Sequence, residues 1–188
     1  MKQALEAGVR FFQYRNKSGT RKSIYETSLL LSRISRDARA CFIVNDHADI
    51  AVAVDASGVH LGQDDLPIEY ARKLLGKDRL IGISTHNLEQ ARTAEQQGAD
   101  YLGFGPMFPT ATKDAGRVQG IGNLAVIKQA VSIPVIAIGG ITHDNVRDVM
   151  LNGADGVAVI TAILAAPDIR QAAVQMVRIF ADSRRETS

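Results

Sequence analysis

One short unit recurs along the chain and limits what it can fold into: an amphipathic helix, a small-residue turn, a short apolar strand, then a polar or glycine-rich loop. Glu6-Ala7-Gly8 leads into a strand over 9–15, Gln97-Gly98-Ala99-Asp100 into one over 101–105, and Asn152-Gly153-Ala154-Asp155 into one over 156–160. Glycine at these points supplies the left-handed conformation that ends a helix, so Gly8, Gly98 and Gly153 are read as helix C-terminal caps. The same pattern predicts strands over 42–45, 59–62, 80–84 and 135–139, and helices over 88–97, 145–151 and 169–180.

Near-continuous apolar strands alternating with helices imply a parallel sheet covered by helices. Six of the seven strands end in polar groups, which favours a closed barrel over an open sheet, whose site gathers at one crevice. The fold expected is α/β, a (β/α)8 TIM barrel with seven of its eight strands visible. Because the sequence opens inside a helix ahead of the first visible strand, the first barrel strand is expected to be missing, leaving two strand edges exposed. On that expectation the chain is poorly soluble or weakly active unless about 20–30 upstream residues, roughly one barrel unit, are restored. A single domain is expected over 1–182, with a polar tail over 183–188.

Composition removes several classes. With 46% hydrophobic and 22% charged residues among 188, the chain suits one globular domain and not a disordered one. A formal charge of +2 gives no global attraction to nucleic acid or to an anionic membrane. The single cysteine, Cys41, excludes an internal disulfide and a multi-cysteine zinc site; inside an apolar run it is read as a buried strand residue. The longest apolar stretch, 156–166, is about half of what a membrane span needs. The start, Met1 to Glu6, carries an early acid and no apolar core, unlike a signal peptide. A cytoplasmic protein with small-molecule partners is expected, and a homo-oligomer is compatible with the residues.

Chemistry in such barrels sits at the carboxyl ends of the strands. At the first, Gln13, Arg15 and Lys17 share one direction while Phe12 and Tyr14 point to the other layer. An inward Arg and Lys one residue apart suit a diphosphate, and an inward Gln13 amide needs a partner. The next two strand ends deliver Asn45-Asp46 and Gly62-Gln63-Asp64-Asp65. Carboxylates on adjacent strands suit Mg²⁺, which takes one or two carboxylates plus phosphate oxygens; Asp46 and Asp65 are the first choices, Asp64 the alternative. The Asp64–Asp65 pair also reads as a helix-entry turn with a capping aspartate. Asn45 either donates to a phosphate or braces its turn. His60 either meets a bound heterocycle or is a satisfied core histidine, whereas His47, His86 and His143 read as surface or bracing groups.

Ser84 is placed to hydrogen-bond a phosphate, and Thr85 or Asn87 to cap the following helix. The stretch 105–113 sets two hydroxyls, Thr110 and Thr112, and the Lys113 ammonium between stiffening prolines, a sensible phosphate receptor. The glycine-containing run 114–120 after it reads as a mobile lid. Gly139 and Gly140 allow backbone amides to approach a phosphate monoester closely.

Gln13-x-Arg15-x-Lys17, Asn45-Asp46, His60-Leu61-Gly62-Gln63-Asp64-Asp65, Ser84-Thr85-His86, the Gly103 to Lys113 loop and Ile138-Gly139-Gly140-Ile141 occur in this order. Together they closely resemble thiamine phosphate synthase, also called thiamine-phosphate pyrophosphorylase, over nearly the whole chain. The resemblance implies condensation of hydroxymethylpyrimidine diphosphate with hydroxyethylthiazole phosphate, giving thiamine phosphate and pyrophosphate by Mg²⁺-assisted departure of the diphosphate. It implies Asp46 and Asp65 as metal ligands, and Arg15, Lys17, Asn45, Ser84 and Lys113 as the catalytic diphosphate clamp. It also implies Gln13 at the pyrimidine, and Thr110, Thr112, Gly140, Ile160 and Thr161 around the thiazole phosphate. Thr161 stands where the family often has serine, which keeps the hydroxyl.

Three other readings compete. A thiazole tautomerase-like regulator needs the thiazole phosphate site but not the Mg²⁺-diphosphate clamp, so Arg15, Lys17, Asp46, Asp65 and Lys113 argue against it. A non-catalytic protein that binds thiamine phosphate is compatible with the same residues. A sugar-phosphate epimerase has only the generic glycine phosphate site in its favour.

Overall fold

The computed structural model describes residues 1–110 and 117–186. Its elements alternate along the chain: α1 (Lys2–Glu6), β1 (Phe11–Tyr14), α2 (Arg21–Asp37), β2 (Cys41–Asn45), α3 (Ala48–Ala53), β3 (Gly58–Leu61), α4 (Ile68–Leu75) and β4 (Leu80–Thr85). There follow α5 (Leu88–Gln96), β5 (Tyr101–Phe104), α6 (Gly120–Ala130), β6 (Val135–Ile138), α7 (Val146–Leu151), β7 (Gly156–Ala158), α8 (Thr161–Leu164) and α9 (Ile169–Glu186). All seven strands are parallel and pair in chain order, so the sheet is singly wound with β1 and β7 as its edges. This is the TIM-like arrangement that the strand–helix alternation predicts.

Register sorts the side chains into two faces. Residues of one parity, Phe42, Val44, Val59, Leu61, Ile81, Ile83, Leu102, Phe104, Val135 and Ala137, pack against the helices in one continuous apolar core. The other parity, which includes Gln13, Ile43, Asn45, His60, Gly82, Ser84, Tyr101, Gly103 and Ile136, is brought side by side by the pairing and lines the inner face. Alternation of side chains along each strand thus gives the sheet an apolar outside and a polar-topped inside.

The repeated turn has a second role beyond capping. Asp100 Oδ2 accepts from the Ile81 N–H at 2.7 Å and from Arg72 Nη2 at 2.6 Å. Asp155 Oδ2 does the same for the Val135 N–H at 2.8 Å and Lys128 Nζ at 2.6 Å. Each aspartate ties the amino end of the preceding strand to the preceding helix through a charge-assisted bond. In the shorter repeat after α3, Ser57 Oγ takes this place, accepting from the Phe42 N–H at 3.0 Å.

Three boundaries differ from expectation. Residues 183–186, expected in a polar tail, form the last turn of α9, held by burial of Ser183, whose hydroxyl donates to the Ile179 carbonyl at 2.8 Å, and by the Arg147–Glu186 ion pair; the rest of that expected tail lies outside the described residues. The seventh strand stops at Ala158, because Ile160 already serves as the N-cap residue of α8. Gly120, expected at the end of a lid, begins α6. Cys41 is half-buried in β2, and burial pushes its thiol up from the ordinary value. No helix among the described residues is long and apolar enough to cross a membrane.

Candidate active site

At the carboxyl end of β1, Gln13 Nε2 donates to Asn45 Oδ1 at 2.6 Å, and Asn45 Nδ2 in turn donates to Asp46 Oδ1. The inward amide that needed a partner finds it on the next strand. Arg15 and Lys17 extend from the loop beyond β1 with exposed side chains. Their loop is shaped by Asn16, whose Oδ1 accepts from the Gly19 N–H at 2.9 Å and whose Nδ2 donates to Tyr14 Oη at 3.2 Å. Thr20 then caps α2, accepting from the Ser23 N–H at 3.2 Å.

Asp46 sits in the left-handed region at φ 67°, its backbone N–H bonded to the His60 carbonyl at 2.9 Å. Burial, together with the hydrogen bond and like charge of Asp65, pushes its carboxyl above the ordinary value; the Arg15 and Lys17 charges pull it back in part. Asp65 Oδ2 accepts from the Gly62 N–H at 2.6 Å, which fixes its loop. The helix-entry alternative does not describe this turn: the N-cap of α4 is Pro67, with no side-chain cap bond. Asp64 is exposed, whereas Asp65 is half-buried beside Asp46. Two carboxylates brought together against like-charge repulsion, within reach of the Arg15 and Lys17 charges, are oxygen donors that suit a divalent cation such as Mg²⁺, whose charge would relieve that repulsion.

Deeper on the inner face, His60 and Ser84 are 6% and 5% exposed. His60 Nε2 lies 2.9 Å from Ser84 Oγ, and His60 Nδ1 lies 3.1 Å from Tyr101 Oη. Gln63 Nε2 donates to the Ser84 carbonyl at 2.7 Å and closes the group from above. The sequence places Tyr101 only at the start of a strand, with no role of its own; burial raises its phenol well above the usual range. A signal was present in the glycines opposite. A Cβ at Gly82 would lie 2.0 Å from Tyr101 Cζ, and one at Gly103 would lie 2.9 Å from His60 Cε1. Asn16 and Gln63 were likewise missed, since each acts by holding backbone in place.

The β5 and β6 loops clasp one another. Met107 and Phe108 donate their N–H groups to the Ile138 and Gly139 carbonyls at 2.9 and 3.1 Å. Gly140, at φ 69°, has Phe108 Cβ and the Pro109 carbonyl 2.7 Å from where a Cβ would stand. Thr110, which follows Pro109, is half-buried. Thr112 and Lys113, and residues 114–116 of the expected lid, lie outside the described residues. Ile160 and Thr161 open α8 with exposed side chains, Ile160 at 58%. His86 braces the β5 loop, its Nδ1 lying 2.7 Å from the Gly105 carbonyl, and Asn87 caps α5 by accepting from the Gln90 N–H at 2.9 Å. His47 precedes α3 as its N-cap residue, Asp49 lies in that helix's first turn, and His143 Nε2 meets the Ala172 carbonyl at 2.9 Å.

Two depressions of about 490 and 250 Å³ lie at the opposite, amino-terminal end. Of the arginines that line them, Arg36 and Arg79 both pair with Asp55, at 3.2 and 2.8 Å. The group of Gln13, Asn45, Asp46 and Asp65 lies at the carboxyl end, the end that carries chemistry in parallel barrels.

Comparison with known proteins identifies the family. A family model described as thiamine monophosphate synthase matches residues 1–163. A thiamine-phosphate synthase of Shouchella clausii is 49% identical over 173 residues, covering 92% of this chain and 83% of the relative. One from Methanosarcina barkeri is 47% identical over 190 residues, covering 100% and 83%. The solved thiamine phosphate pyrophosphorylase of Pyrococcus furiosus superposes with a TM-score of 0.91 at 44% identity, covering 97% of this chain and 88% of that one. The chain therefore belongs to the thiamine monophosphate synthase family, a family of transferases.

Proposed function

We propose that this chain joins hydroxymethylpyrimidine diphosphate to hydroxyethylthiazole phosphate, releasing pyrophosphate, and that it does so by an Mg²⁺-assisted dissociative substitution. The observation that carries the reading is the Asp46–Asp65 pair with Arg15 and Lys17 in electrostatic reach, at the carboxyl ends of adjacent strands. Asp46 and Asp65 would hold Mg²⁺, which when bound offsets the charge that develops on the departing diphosphate. Arg15 and Lys17 meet the same charge from the β1 loop, with Ser84, Asn45 and Lys113 as further donors. The bond between the pyrimidine methylene carbon and the diphosphate oxygen breaks first, and its electron pair leaves with pyrophosphate. The thiazole nitrogen then supplies the pair that forms the new carbon–nitrogen bond.

No side-chain nucleophile is required, so the chain's task is to bind, align and exclude water. Gln13 and His60 face the pyrimidine from the inner wall. The Gly139-Gly140 turn, Thr110, Thr112, Ile160 and Thr161 receive the thiazole phosphate at the facing loops. Mass-spectrometric detection of thiamine phosphate and pyrophosphate in equal amounts from the two substrates tests this. Tight binding of thiamine phosphate with no turnover would reject it in favour of a carrier.

A further inference from the structure

Ser84 needs its hydroxyl proton aimed outward if it is to donate to a phosphate oxygen, and the inner face contains a device that sets this direction. Tyr101, His60 and Ser84 stand on β5, β3 and β4 and form one hydrogen-bonded line, Oη to Nδ1 at 3.1 Å and Nε2 to Oγ at 2.9 Å. Burial disfavours the phenolate, so Tyr101 keeps its proton. Its Oη is buried, and His60 Nδ1 is the partner the geometry gives it. Were Nδ1 protonated, two donors would face each other across that bond, or the buried phenol proton would go without an acceptor. The arrangement that satisfies both groups has Tyr101 O–H donating to a bare Nδ1. Neutral imidazole then carries its proton on Nε2, which donates to Ser84 Oγ. With its oxygen engaged as an acceptor, Ser84 turns its own proton elsewhere. Asn45 and the Asp46 turn lie across from it on β2, paired to His60 in register.

We propose that Tyr101 is a positioning residue: through the tautomer of His60 it aims the Ser84 hydroxyl proton at the diphosphate that departs in the reaction. The inference rests on the synthase reading for the identity of the acceptor, but not for the direction of the relay. Gly82 is part of the device, since only a residue without a Cβ leaves room for the Tyr101 ring.

The test has two arms. Nitrogen-15 NMR of the His60 imidazole in the substrate-free protein is expected to report the Nε2–H form, and Tyr101→Phe is expected to admit the Nδ1–H form. A Nδ1–H tautomer in the unmutated protein would overturn the proposal whether or not the chain turns over. In steady-state kinetics, Tyr101→Phe keeps the ring and is expected to lower kcat about tenfold, the scale of one lost oriented hydrogen bond, with KM for the diphosphate substrate nearly unchanged. In a Ser84→Ala background the same substitution is expected to cost nothing more. An equal loss in both backgrounds would mark Tyr101 as merely structural and overturn the proposal. Lack of turnover in the unmutated chain would count against the synthase reading, while the NMR arm would still decide the relay.

Discussion

The ring of Tyr101 fills the space that a side chain at Gly82 would need: a Cβ on Gly82 would come 2.0 Å from Tyr101 Cζ and 2.4 Å from its hydroxyl. Neighbouring strands β4 and β5 thus place one large and one absent side chain at paired positions. This lets the phenol reach His60 across the inner face, and lets its edge-on contact with Phe11 line the wall at 5.6 Å between centroids.

Gly82→Ala is expected to destabilise the protein by about 1–3 kcal/mol, the range for overpacking a tight interior. Because the displaced ring also loses His60, activity should fall more than stability predicts. Chemical denaturation paired with kcat on the folded fraction checks this; an unchanged midpoint would show that the ring relaxes freely.

Asp46→Asn should separate binding from stability. The elevated carboxyl means that the ionised form is disfavoured in the fold. The associated stability is present at low pH and is lost as pH rises from the ordinary carboxylate range through the elevated value. At neutral pH the metal-free Asn variant should therefore melt higher than the unmutated chain. Mg²⁺ should raise the Tm of the unmutated chain and leave the variant unmoved. A variant that melts lower without metal would contradict the like-charge account of the Asp46–Asp65 pair.

At the opposite end, Asp155→Ala removes the acceptor of the Val135 N–H and of Lys128. A loss of about 1–3 kcal/mol in stability is expected, the cost of leaving such donors unpaired, with kcat per folded molecule preserved. Asp100→Ala should behave alike, because it makes the same tie two repeats earlier. Loss of kcat without loss of stability would place these aspartates in the chemistry instead.

Gly140→Ala tests the clasp between the β5 and β6 loops. The residue is held at positive φ with Phe108 and Pro109 atoms at 2.7 Å from the new Cβ, so the loops must part. KM for the thiazole phosphate should rise on the order of tenfold while that for the pyrimidine diphosphate changes little. Equal rises in both would show that the loop does not distinguish the two subsites.

Much of this was legible in the residues because strand alternation and the carboxyl-end rule act locally. Gln13, Asn45 and Asp46 follow from strand position, and hydrogen bonds tie them together; Ser84 follows likewise and sits deeper on the inner face, bonded to His60. The choice of Asp65 over Asp64 was not legible, since it depends on which carboxylate folds back to the Gly62 N–H. Tyr101 was hidden for a different reason: its partner Gly82 is 19 positions earlier in the chain, and only strand register brings the two together. The aspartates of the repeated turn, Asp100 and Asp155, act on the strand before them, a contact that no local pattern encodes.

Pyrophosphate release, followed with each substrate alone and with both, in the presence and absence of Mg²⁺, tests the central claim most directly. The account predicts release that requires the pyrimidine diphosphate, the thiazole phosphate and Mg²⁺ together, and that is abolished by Asp46→Asn. Full release without Mg²⁺, or none under any condition in a correctly folded protein, would contradict it.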